Sequence, residues 1–375
     1  MSIADKLKTI AERMEDIYWA GVIKYAKTSI ASGSNFVIND SSDERIVSLK
    51  AYGRSWQNGT PTPSTPIEIE SAKEVKVYGK NLFNINENDN IIPANGASGV
   101  RDGNNITITS NASYGNPYVI LPQKISLKGG LTYTCSFETL YATNGRSVEF
   151  AFFRYGDYGA YLWSQWNYTP NEDIDINIGV YLHGEGDGDI ATITNIQCEQ
   201  NSVATEYEPY TEQTLNLPNL YDGDMVDYSA KKITRKAKVY KLADFEWLQA
   251  SVNNNGDGML FYTPNTIEGV LDGYSMMTHF NLYRYNHACE VLAVGQYMFS
   301  YGGLTVCTQH TNLDDFLSWI RSENAEVLFA LTESYEEELT EEQLAQFKVI
   351  HTNYPNTTIV ADGEVEIGYI LRPDK

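Results

Sequence analysis

The sequence is poor in the signatures that announce catalysis. Its 375 residues hold no GxSxG elbow, no P-loop, no HExxH and no GxGxxG between a strand and a helix. The local marks of α/β hydrolases, P-loop NTPases, zincins and dinucleotide-binding enzymes are therefore missing. Cysteine is scarce: Cys135, Cys198, Cys289 and Cys307 form no CxxC pair, so a structural zinc site is not expected. They read as free, mostly buried thiols of a reducing compartment. The five histidines do not cluster. Positive charge is also short, with 27 Lys and Arg against 49 Asp and Glu and a net charge of −22. Such a chain repels a phosphate backbone and an anionic membrane surface, which argues against both as partners. No apolar run approaches the roughly 20 residues needed to span a bilayer. The start, MSIADKLKTI, is charged and amphipathic without an apolar signal core, so assembly in a bacterial cytoplasm without a signal peptide is the expectation.

What is present is tyrosine, 27 against 13 phenylalanines. Tyrosine favours strands, and its flat apolar face with a polar tip also suits contact with sugars or proteins. The first residues read as a helix, with Ile3, Leu7, Ile10, Met14 and Ile17 spaced 4, 3, 4, 3. That spacing is a heptad seam for self-association or docking, or the buried stripe of a helix packed on its own domain. From Ile46 the pattern turns to alternation, in IVSLKAYGRSW, IEIES and VKVYG. Between the first two of these lies TPTPSTP, with Pro61, Pro63 and Pro66. This segment cannot be helical or sit in a central strand, and reads as a stiff extended connector. Roughly eight short alternating strands then follow between about Asn81 and Tyr210, as expected of an antiparallel sandwich. Beyond Thr211 more strands are interrupted by two helices. One is expected over Asn312–Ile320, and the other after the capping box Thr340-Glu-Glu-Gln343.

Three stretches carry a resemblance. Gly53, Ser55, Gln57, Gly59 to Pro63, Pro66 and Gly79 to Leu82 stand in an order that resembles tail and baseplate proteins of long-tailed phages of Gram-positive bacteria. The phrase NIQCEQNSVATEYEPY, Asn195 to Tyr210, is similar to the close of a jelly-roll, carbohydrate-binding-like module in that group, with Cys198 at a position the group usually fills with an apolar residue. LPNLYDGDMVDYSAKKITRKAKVYKL resembles its next segment. The resemblance implies a mainly β chain: an N-terminal helix over 1–30, a β connector with a Pro-rich linker over 31–80, a jelly roll over 81–210, and a β-rich α+β module over 211–375. It implies a structural virion protein rather than an enzyme. Its place would be the tail tip or baseplate, as a homo-oligomer, with a trimer as the working number. Its partners would be other virion proteins and a glycan of the host surface. A purely architectural adaptor or decoration protein of tail or capsid is the alternative, and a cell-wall polysaccharide hydrolase a further one.

The stretch RYGDYGAYLWSQWNY is the candidate recognition surface, through Tyr155, Tyr158, Tyr161, Trp163, Trp166 and Tyr168. Aromatic faces can stack on the C–H side of a pyranose while neighbouring polar groups bond its hydroxyls. The same rings could instead face a protomer or the core. Glu185, Asp187 and Asp189 alternate in a Gly-rich loop, which could set oxygens around a structural Ca²⁺ or be a solvated hairpin turn. No other cofactor is expected.

Overall fold

A computed structural model of the chain describes residues 24–31, 35–39, 44–111, 116–158, 161–163, 166–183, 186–283, 292–353 and 356–371. The seam Ile3, Leu7, Ile10, Met14 and Ile17 lies outside the described residues. Among the described residues the fold is mainly β, built from sheets whose pairs are antiparallel except Asn281–Leu282 with Gln296–Ser300, with two short α-helices.

The two ends of the chain build one base. Strand Lys24–Ile30 pairs along its length with Val365–Leu371, which pairs in turn with Ser48–Tyr52. The sheet continues through Met225–Asp227, Lys232–Lys241, Glu326–Glu338 and Val270–Met277. Alternation explains why: Leu49 and Ala51 are buried while Ser48, Lys50 and Tyr52 between them are not. A second sheet joins Glu212–Leu220, Glu70–Tyr78, Asn356–Ala361 and Asn35–Asn39. Its Val75, Val77, Leu215 and Ile359 close on Leu49, Val226 and Ile367 of the first.

Two expectations change here. Lys24–Ile30 is a strand, so a helix reaching residue 30 is corrected; KYAKTSI alternates, with Ile30 buried. Residues 31–80 are not a unit apart from 211–375, because both contribute strands to the same two sheets and one core. The physical reason is that a half-apolar strand is stable only when paired and covered.

The proline-rich stretch is docked rather than spanning a gap. The Gln57 amide donates to the carbonyls of Ile67 (3.0 Å) and Met277 (2.9 Å). The Ile67 amide donates to Thr278 O (2.8 Å). Thr62 and Thr65 close a tight turn on each other. Pro63 lies so near Gly295, whose φ is +84°, that an added Cβ there would sit 3.1 Å from the proline ring. The prolines fix a non-repetitive path along the C-terminal region, so the stiff connector is packed against the fold over this stretch.

Residues after Glu70–Tyr78 leave this base to form a sandwich. One sheet orders Asn167–Tyr168, Tyr133–Ala142, Ile190–Glu199, Asn105–Ser110 and Ala97–Asp102. The other orders Tyr161–Trp163, Ser147–Arg154, Ile174–His183, Tyr118–Leu127 and Ile92–Ala94. Successive strands cross between the sheets in the jelly-roll pattern of two Greek keys. Phe150, Phe152, Ile176, Ile178 and Val180 from one side meet Ile106, Ile108, Ile193 and Cys198 from the other.

A polar clasp joins the places where the chain enters and leaves the sandwich. Lys80 Nζ donates to Thr205 Oγ1 (2.9 Å) and Glu206 O (2.5 Å) and pairs with Glu208 (2.8 Å). Asn81 Nδ2 donates to the carbonyls of Ile196 and Glu208, and its Oδ1 accepts from the amides of Phe83 and Cys198. The buried Glu199 carboxylate accepts from Gln197, from the Thr205 amide and from the Thr205 hydroxyl. Buried polar groups persist only when bonded in this way.

The remaining chain adds a five-stranded sheet, in the order Leu248–Val252, Met259–Tyr262, Gly303–Thr308, Gln296–Ser300 and Asn281–Leu282. Helix α1, Leu313–Ser322, covers it through Phe316 and Ile320, capped by Asn312 on the Asp315 amide. Helix α2, Glu341–Val349, starts at the expected capping box of Thr340 and Gln343 and buries Leu344 and Phe347 against the base.

Candidate functional site

The six aromatics of the Tyr155–Tyr168 stretch do not share one surface. Trp166 packs its ring against Phe137 (5.3 Å between centroids) and Phe150 (6.0 Å). Tyr168 lies against Phe152 (5.4 Å). Phe150 and Phe152 belong to the sandwich core, so Trp166 and Tyr168 seal its rim, although Trp166 stays 45% exposed. Both rings thus pack against the core on one side, which is the packing alternative for this stretch. The side chains of Tyr161 and Trp163 lie outside what the structure describes; their strand pairs with Ser147–Arg154. Tyr155 and Tyr158 are exposed, at one end of the outer face of that sheet.

That outer face holds the aromatics the sequence reading missed. Alternation turns Phe150 and Phe152 inward and sends Glu149, Ala151 and Phe153 outward. Antiparallel register then sets Glu149 beside Tyr181 and Tyr181 beside Tyr118 in one rank. The next rank is Ala151, Gly179 and Ile120. Gly179 is required there: a Cβ would come within 2.3 Å of the Phe153 ring, which lies across it. The result is a run of near-parallel rings. Tyr118 stands 5.5 Å from Phe153 and 4.5 Å from Tyr181, and Tyr181 stands 6.1 Å from the His183 ring. Phe153 is buried beneath the run, while Tyr118, Tyr181 and His183 are half-exposed.

Polar groups rim the rings. His183 Nε2 lies 2.9 Å from Glu149. The Tyr118 hydroxyl donates to the carbonyl of Tyr158 (3.3 Å), which ties the Tyr155–Tyr158 loop to the face. Asn177 holds the same loop from below: its amide donates to the carbonyls of Leu121, Pro122 and Gln123, and its oxygen accepts from the Gly156 amide. Lys124 sits over the Tyr155 ring at 5.9 Å and pairs with Asp175 (2.8 Å). Burial alone would raise the Asp175 carboxyl, but hydrogen bonds from Lys124 and Ser126 outweigh it and hold the group below its ordinary range.

Next to Lys124 the sandwich and the base enclose a cleft of about 280 Å³, lined by Lys76, Tyr78, Gln123, Tyr210 and Glu212 among others. Burial is the first cause pushing the Tyr78 phenol up to about 12, and burial with the hydrogen bond to Glu212 raises Tyr210 further. These phenols therefore stay protonated at neutral pH.

The calcium expectation is not supported at Asp189. That carboxylate is buried and engaged by Arg146 Nε (2.7 Å) and the Asn144 amide (3.2 Å). Asp187 is exposed on a turn, and Glu185 lies outside the described residues. Among the described residues no group of three or more His, Cys, Asp or Glu could hold a metal ion, and no helix is long and apolar enough to cross a membrane.

No family model matches the chain, and no curated protein does. Two solved structures show a faint likeness. One is described as the structure of infectious bursal disease virus Gt strain, 7% identical with a TM-score of 0.18 over 93% of this chain and 82% of that one. The other is the Gx strain, 8% identical with a TM-score of 0.13 over 94% and 82%. Scores this low carry no argument about fold or role.

Proposed function

We propose that this chain is a non-enzymatic structural protein of a tailed-phage virion, carried at the tail tip or baseplate, whose jelly roll attaches to a neutral glycan of the host surface. The observation that carries the binding half of this reading is the run Phe153, Tyr118, Tyr181 and His183 on the outer face of one sheet, rimmed by Glu149, Tyr155 and Tyr158. Ring faces offer the apolar surface that a pyranose C–H face seeks, and the rim offers donors and acceptors for hydroxyls. A chain of net charge −22 disfavours an acidic polymer at long range, which is why a neutral ligand is named.

The virion half rests on the resemblance of Gly53–Pro66, Gly79–Leu82 and Asn195–Tyr210 to phage tail proteins. Self-association through Ile3, Leu7, Ile10, Met14 and Ile17, most simply as a trimer, would turn weak single sites into avidity. Antibody labelling of intact particles tests the placement. Label at the distal tail end, together with adsorption blocked by the soluble chain, is the expected result. Label on the head, or adsorption untouched by excess soluble chain, overturns it in favour of an architectural role.

A further inference from the structure

We infer that Cys135 and Cys198 form a built site for an intrachain disulfide, a covalent staple across the sheet that holds both cysteines. The two residues stand directly opposite each other in the antiparallel pair of Tyr133–Ala142 and Ile190–Glu199. They are a pair that exchanges no backbone hydrogen bonds. The Cys135 amide donates to Trp166 O (2.9 Å) on the other side of its strand, the Cys198 amide donates to Asn81 Oδ1 (3.1 Å), and Cys198 O accepts from the Leu82 amide (2.7 Å). Non-bonded antiparallel pairs bring their Cα atoms to about 4.5 Å and their side chains closest together. Disulfides need Cα atoms about 4.4–6.8 Å apart, so the backbone already stands within range. Both side chains point into the same core between the two sheets.

Both side chains are fully buried in the sandwich core, and the Asn81 clasp pins the backbone of Cys198 from behind. Bridging them closes a loop through much of the jelly roll and leaves the clasp in place. Burial first, and then Cys198 and the charge of Glu199, raise the Cys135 thiol well above its ordinary value. The thiols therefore persist through assembly in a reducing cytoplasm and convert only when a small oxidant reaches them. Formation of the bond breaks two S–H bonds and makes one S–S bond. The two electrons and two protons pass to the oxidant, here the azo compound diamide, which leaves as its hydrazine.

The experiment treats the folded full chain with diamide, blocks remaining thiols with iodoacetamide in denaturant, and maps peptides without reduction. The expected product is a linked pair of peptides containing Cys135 and Cys198. The thermal midpoint should rise, and a dithiol should reverse the rise. A Cys135→Ala/Cys198→Ala chain, which keeps an apolar core, should show neither the linked peptides nor the reversible shift. Cys135 and Cys198 recovered alkylated after diamide, or linked instead to Cys289 or Cys307, would overturn the inference. So would a linked chain whose midpoint falls, because a bond that strains the sheet is no staple.

Discussion

The clasp around Lys80 and Asn81 and the aromatic outer face lie in the same jelly roll and are built on opposite plans. The clasp buries charge and amide groups and bonds each of them inside the protein. The outer face buries only its base, Phe153 with Ile120 and Ala151, and leaves ring surface and a polar rim at the solvent. The first plan fixes one arrangement of the chain; the second leaves contact surface for something else. The residues that carry the resemblance to phage proteins fall largely in the clasp and in the docked proline segment. They therefore mark how the sandwich is held to its base, and the proposed glycan contact rests on other residues.

The largest expected effect breaks the clasp. Asn81→Ala strands two backbone donors and two carbonyls, and should cost about 3–5 kcal/mol in denaturant unfolding by the usual penalty for unsatisfied buried groups. A loss below about 1 kcal/mol would mean the network relaxes around the gap. Next comes Trp166→Ala, which opens the sandwich rim at Phe137 and Phe150 and should cost about 2 kcal/mol of stability because the ring is only partly buried. Glycan binding by that variant should stay within twofold of the parent.

Tyr181→Ala reverses that pattern. Stability should fall by about 1 kcal/mol, while binding of neutral glycans falls about tenfold, the scale of one lost aromatic contact. If Trp166→Ala loses binding and Tyr181→Ala keeps it, the two surfaces have been assigned the wrong way round.

The smallest effect is titration outside the sandwich. His279 is buried, its Nδ1 bonded to the Thr278 hydroxyl, and burial lowers its pKa from the ordinary 6.5 against a weaker opposing pull from Glu323. A lowered folded value means that the unfolded chain binds the proton first. Stability is thus fully present above about pH 6.5 and declines as the pH falls toward the folded value. His279→Gln should flatten that slope between pH 7 and 5 in thermal melts, while the melting of an isolated clasp variant keeps it.

The sequence made some of this legible. Strand alternation located the β elements, since Leu49, Ala51, Val75 and Val77 repeat with period two, and the caps at Asn312 and Thr340 set both helix starts. Two things were hidden. Nothing local tells that Lys24–Ile30 will pair with Val365–Leu371, more than three hundred residues away, or that Ile67 will bond Thr278, so the proline stretch read as a stiff connector. The rings of the outer face come from three strands, at Tyr118, Phe153 and Tyr181, and only register brings them together. Local density at Tyr155–Tyr168 drew attention instead, yet Trp166 and Tyr168 there serve the core. Gly179 was the available clue, a glycine inside the apolar strand IDINIGVYLH, where such a residue signals the close approach of another group.

The central claim is that the outer aromatic face holds a neutral glycan, and an array of purified bacterial polysaccharides tests it most directly. The full chain, its Tyr118→Ala/Tyr181→Ala variant and its Trp166→Ala variant would be applied side by side, with circular dichroism confirming that each is folded. The account predicts retention on one or more neutral polysaccharides by the parent and by Trp166→Ala, and loss of that retention by the double tyrosine variant. Equal retention by the double variant, or no neutral polysaccharide retaining the parent, would contradict it.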